Sequence, residues 1–164
     1  MLRFIRVIGL VSAAAAVAVA SAGCSAPFSH GHASGPAIVT NGAYVQQPAS
    51  AGETTVGYLD IRNNGSADEL VSVSTSVGGT VELRGPVTKG VSPVIMHTVQ
   101  DIPIPADATT QLIPNSYHLL ITHPGAMHDG KDIYLTLTFA HGLTMTVIAL
   151  VTNPQNGGSS YFLN

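Results

Sequence analysis

Residues 131–153 read KDIYLTLTFAHGLTMTVIALVTN. Along the first arm, Ile133, Leu135, Leu137 and Phe139 fall on one side, and Tyr134, Thr136 and Thr138 on the other. That alternation is the period of a half-buried β-strand, whose successive side chains point to opposite faces. Ala140-His141-Gly142 supplies a turn, so the stretch predicts a β-hairpin. The same signature recurs towards the N-terminus. AIVTNGAYVQ reads as a short strand, and TTVGYLDIRNNGS as a strand closed by Asn63-Asn64-Gly65. DELVSVSTSV and GTVELRGP are separated by Gly78-Gly79, and SPVIMHTVQ is a further strand. IPIPADATTQLIPNSYHLLITH contains three prolines, which restrict it to edge strand, turn and strand again. No segment after the first two dozen residues shows a 3.6-residue period. The spacing predicts one all-β antiparallel sandwich of seven to nine strands over residues 37–153, with 154–164 as a tail.

The N-terminal residues read differently. Arg3 and Arg6 precede the apolar run VIGLVSAAAAVAVA, and SAGC follows, ending at Cys24, the one cysteine of the 164 residues. A basic start, an apolar core and small residues before the cleavage point make 1–23 a signal peptide. The cysteine after them resembles the lipobox of bacterial lipoproteins, with Ser21 standing where such boxes prefer leucine. On this reading Cys24 is lipidated (palmitate among its acyl groups), and the protein is held at the extracytoplasmic face of a bacterial cell membrane. Residues 24–36, rich in Gly, Ser and Pro, form a tether with a reach of roughly 20 Å by coil statistics.

Export constrains the chemistry. Once Cys24 carries lipid, no thiol remains for a disulfide or a thiolate metal site. Removing Arg3 and Arg6 leaves four basic residues against nine acidic ones, a formal charge of −5, which argues against a nucleic-acid partner. There is no G-x-S-x-G elbow, phosphate loop or H-E-x-x-H, so an enzyme is not expected. The informative residues are histidine and methionine, suited to soft metals such as Cu(I). Met96 and His118 lie in predicted strands. Met96 and His97 are neighbours, so both cannot face one ion without a bulge. The stretch after His118, THPGAMHDG, adds His123, Met127 and His128, and the tether holds His30 and His32.

The run from Tyr58 to Val151 resembles the periplasmic copper chaperone family PCu(A)C. The matching signposts are GYLDIRNNGSADELVSVST, GTVELR, IPIPADATTQLIPNSYHLLI and YLTLTFAHGLTMTV, in order and at agreeing spacing. The resemblance implies a cupredoxin-like Greek-key sandwich, akin to an immunoglobulin fold. It also implies delivery of Cu(I) to an extracytoplasmic partner, such as the copper site of cytochrome c oxidase or its assembly factors. The family motif is H(M)-x10-M-x21-H-x-M. Twenty-one residues separate Met96 from His118, so these two match the second and third ligands. The first histidine follows a v-E-L run and here becomes Arg84; counted as ten residues before Met96, the position is Gly85. The last methionine becomes Leu120.

Two functions follow. In the first, Met96 and His118 hold Cu(I), with His123, Met127 or His128, or the tethered His30 and His32, replacing the lost ligands and His97 a weaker candidate. In the second, the scaffold is a metal-free extracytoplasmic interaction module.

Overall fold

The computed structural model describes residues 37–87 and 94–156. The expected signal peptide (1–23), Cys24, the expected tether with His30 and His32, and residues 157–164 lie outside these.

Ten strands follow in order: β1 (Ile38–Gln46), β2 (Thr55–Asn63), β3 (Asp68–Thr75), β4 (Thr80–Pro86), β5 (Met96–Thr98), β6 (Ile102–Ile104), β7 (Ala108–Leu112), β8 (His118–Thr122), β9 (Asp132–Phe139) and β10 (Thr144–Thr152), with a 3-10 turn at Pro154–Asn156. The architecture is all-β, as the alternation demands. One hydrogen-bonded path runs β5-β4-β8-β2-β1-β10-β9-β3-β6, and β7 pairs with the second half of β2. The path curls into two facing layers over an apolar core. Two differences from the sequence expectation are physical. The strand expected in SPVIMHTVQ shrinks to the three residues of β5, and IPIP supplies only the three-residue β6, raising the number of strands to ten. In addition, β1 lies parallel to β10, Tyr44 opposite Leu150, making the sheet mixed.

The 131–153 hairpin forms as its pattern requires. Ile133, Leu135, Leu137 and Phe139 are all buried, and Gly142 turns the chain at φ 89°. Leu59, Ile61, Leu70, Leu112, Leu119 and Ile121 complete the centre of the core. At the Gly78-Gly79 turn both residues have positive φ, a region open to glycine. A Cβ on Gly79 would stand 2.4 Å from the Thr122 carbonyl oxygen.

The registers define two ends. At the upper end lie the start of β1, the turn after Asn63, the close of β4, the start of β5 and the His141 turn. The lower end gathers the turns after β1 and β3 and the segment after β8. These are tied by Gly52 N–H to Pro124 O (2.9 Å), Gly125 N–H to Val77 O (2.8 Å) and Gly130 N–H to Val151 O (2.9 Å).

Candidate functional site

The outer face of the β5-β4-β8 layer carries the residues of interest. On β4, Leu83 and Gly85 point inward and are buried, so Glu82, Arg84 and Pro86 point outward. Register then places the neighbours. Arg84 stands opposite His118 on one side and Thr98 on the other, Pro86 opposite Met96, and Glu82 opposite Leu120. Met96 and His118 therefore share a face, but β4 runs between them. Two strand spacings and a two-residue offset along the strands separate their Cα atoms by about 12 Å.

Arg84 fills the space between. Its Nη2 donates to the Met96 carbonyl (3.1 Å), and Nη1 donates to Thr98 Oγ1 (2.7 Å) and Glu82 Oε2 (3.4 Å). Thr98 Oγ1 in turn donates to Glu82 Oε2 (2.8 Å), closing a ring of three side chains across two strands. A guanidinium cannot release its proton or offer a lone pair. The position of the family's first ligand is thus a fixed cation, with its charge balanced by Glu82.

His118 is differently placed. Its Nδ1 lies 3.0 Å from the Ser116 carbonyl oxygen. A carbonyl only accepts, so Nδ1 is the donor in this bond, and in a neutral imidazole Nε2 is then the nitrogen with the lone pair. A backbone carbonyl holding the far ring nitrogen in this way is common behind metal-bound imidazoles. The ring of Tyr58 flanks it, with centroids 6.2 Å apart, and Tyr44 lies beyond Tyr58 at 5.1 Å. Burial pushes the Tyr58 phenol up; burial and the neighbouring Tyr58 do the same to Tyr44. Both phenols are therefore neutral hydroxyls near pH 7, and no phenolate faces the site. Leu120, half-buried on this face, offers no donor atom.

The other candidates lie elsewhere. β8 runs from His118 to the lower end, and His123, Met127 and His128 follow it there, away from the upper-end residue Met96. His123 is exposed with φ 51°. Met127 is 5% exposed and packed in the core, so its sulfur is a filler of apolar space. His128 is exposed, its carbonyl accepting from Lys131 N–H (3.1 Å). His97 stands opposite Gly85, on the strand face away from Met96. The structure thus joins Met96 and His118 only through Arg84 and brings none of His97, His123, Met127 and His128 to them. Among the described residues, no group of three or more His, Cys, Asp or Glu is arranged to hold a metal.

Sequence reasoning passed over one polar site. Asp68 has a fully buried side chain (0% exposed), and its Oδ1 accepts from Glu69 N–H (2.8 Å), His141 N–H (3.2 Å) and His141 Nδ1 (2.8 Å). Burial alone would raise its pKa, but these donors outweigh burial and hold the carboxyl below its ordinary value. The signal was the turn position of Asp68 and His141, which are 73 residues apart and reveal no pairing in sequence.

The sequence model described as "Putative lipoprotein LpqE-like" matches residues 38–151, the whole sandwich. The chain belongs to the LpqE-like lipoprotein family. A protein of Leifsonia xyli subsp. xyli named a "Putative lipoprotein" is 26% identical over 115 residues, 69% of each chain. Solved structures share the fold. The apo PCuAC domain from PmoF1 superposes with TM-score 0.60 at 19% identity, over 71% of this chain and 94% of that one. The copper-bound PCuAC domain from PmoF2 gives 0.58 at 17%, over 71% and 93%. Cu(I)-bound DR1885 from Deinococcus radiodurans gives 0.58 at 24%, over 70% and 77%. This LpqE-like chain therefore has the PCuAC fold, the recognition that its signposts carried.

Proposed function

We propose that this LpqE-like protein is a lipid-anchored, extracytoplasmic interaction module on a copper-chaperone scaffold, and that it meets its protein partner without carrying metal. The observation that supports this most is the Arg84 guanidinium between Met96 and His118, bonded to Met96 O, Thr98 and Glu82. A second cation about 6 Å from an arginine costs about 3 kcal/mol at an effective dielectric of 20, or about a hundredfold in affinity before Glu82 offsets part of it. The partner is a membrane protein exposed on the same side, of the copper-accepting kind served by the fold: cytochrome c oxidase or its assembly factors. No chemistry is performed on a substrate.

A second reading has its own support. His118 Nε2 is left with a lone pair, and Met96 lies on the same face at the family spacing. With Arg84 swung aside, these two could hold Cu(I) and pass it on by ligand exchange. Metal analysis of the chain isolated from its own membrane decides between the two, combined with photo-cross-linking from position 98. The module reading expects no stoichiometric copper and a specific membrane-protein adduct. Copper near one per chain, lost in Met96→Leu/His118→Ala, overturns it.

A further inference from the structure

One backbone edge of β10 is left without a partner. Phe139 N–H donates to Leu143 O (2.9 Å) and Val151 N–H to Lys131 O (2.8 Å), so the odd-numbered residues of β10 bond to β9. In an antiparallel ladder the residues between them turn N–H and C=O to the other side. β1 takes up that side only from Tyr44, opposite Leu150, onward. The backbone groups of Thr144, Thr146 and Ile148 therefore have no strand beside them among the described residues. Before its register shift, β1 pairs with β2 alone. The space left between the two strands is a groove of about 370 Å³ walled by Thr40–Ala43 and Met145–Ile148.

The ends of the hydrogen-bonded path are guarded differently. β5 and β6 are three residues long, and β6 carries Pro103. Short strands and proline keep sheet edges from pairing. From Thr144 to Leu150, β10 has no proline, glycine or charge. A row of unpaired backbone groups is matched by another extended backbone, which repeats donors and acceptors at the same interval. No charged side chain lines the groove. Ile148 in its wall is 60% exposed, and Val39, one residue before it on β1, is 48% exposed, so apolar side chains on the incoming strand would be covered there.

We propose that the Thr144–Ile148 edge of β10 docks an extended, uncharged segment of a partner protein, which adds to the sheet as a strand. The site shares no residue with the Arg84–His118 face and stands whether or not that face carries copper.

Amide hydrogen exchange of the full chain, read residue by residue by NMR, tests this. The probes are a capped peptide of about eight alternating Val and Thr residues and its fully N-methylated form. In the free chain the amides of Met145, Val147 and Ala149 should be protected, and those of Thr144, Thr146 and Ile148 should exchange fast. The plain peptide should slow these three by about tenfold when its free concentration is about ten times its Kd. The N-methylated peptide should leave them fast. Thr146→Pro removes a donor that β9 does not use, so it should keep protection at the odd positions and lose the peptide's effect at 144 and 148. Fast exchange that the plain peptide leaves unchanged, or equal protection by the N-methylated peptide, overturns the proposal. So does slow exchange in the free chain: at every protein concentration it means that the chain covers its own edge, and rising with concentration it means that a second copy does.

Discussion

Arg84 donates from Nη2 to the main-chain carbonyl of Met96 (3.1 Å), so the guanidinium on β4 is tied to the backbone of the strand beside it. The bond adds a side-chain staple to the backbone pairing that holds the three-residue β5, at the end of the hydrogen-bonded path, to β4. Arg84→Ala is expected to cost about 1 kcal/mol, because the pair is partly solvated and each hydrogen bond is modest in net terms. Amide exchange across Met96–Thr98 should accelerate while exchange in β9 and β10 stays unchanged. Arg84→Lys should recover charge but not protection, since an ammonium lacks the planar fork that reaches Thr98 and Met96 together.

The buried Asp68 predicts an acid limit to stability. Its folded pKa lies below the unfolded reference of 3.8. A depressed carboxyl contributes stability that is fully present above the unfolded value and is lost as pH falls through the folded one. Thermal unfolding between pH 5 and pH 2 should therefore show a falling limb below about pH 4. Asp68→Asn should be less stable by about 2 kcal/mol at neutral pH, with a shallower acid limb, because the amide accepts more weakly from Glu69 and His141.

Met127 tests the role of the THPGAMHDG segment after His118. As a core residue it should tolerate Met127→Leu with less than about 1.5 kcal/mol lost, whereas Met127→Ala should lose about 2–5 kcal/mol. Chemical denaturation reads both. A Met127→Leu variant as damaged as Met127→Ala would contradict the packing role. Gly79→Ala should be worse tolerated than either, since its positive φ and the Thr122 carbonyl leave no room for a Cβ.

Mass spectrometry of the mature N-terminus addresses export. The expected species begins at Cys24 with acyl chains on the thiol; an unmodified thiol, or a chain retaining residues 1–23, would remove the anchor.

Much of this was legible in the sequence, for local reasons. The alternation of 133–139, the Gly78-Gly79 turn and the Asn63-Asn64-Gly65 turn each encode their own conformation, and all three form where the pattern places them. The family spacing from Met96 to His118 suggested that the two meet; the register puts them on one face with β4 between them, which no spacing along the chain announces. Pairing partners were less legible, because register is a tertiary property. Nothing local to Tyr44 and Leu150 announces a parallel pair, and nothing near Asp68 announces His141. The loop after His118 is near it in sequence, but a five-residue strand carries the chain about 16 Å to the far end before His123. Sequence proximity gave that loop a place near the site that an extended strand denies it.

Arg84, Thr98 and Glu82 close the face between Met96 and His118 with a polar ring, and a face closed in this way is expected to leave Cu(I) unbound. Competition for Cu(I) against a chromophoric chelator, under reducing conditions, tests it most directly. The unmutated mature chain is predicted to leave the chelator fully loaded, while Arg84→His/Leu120→Met, which restores two imidazoles and two thioethers to one face, is predicted to withdraw about one copper per chain. An unmutated chain that strips the chelator, and loses that ability in Met96→Leu/His118→Ala, would contradict the account.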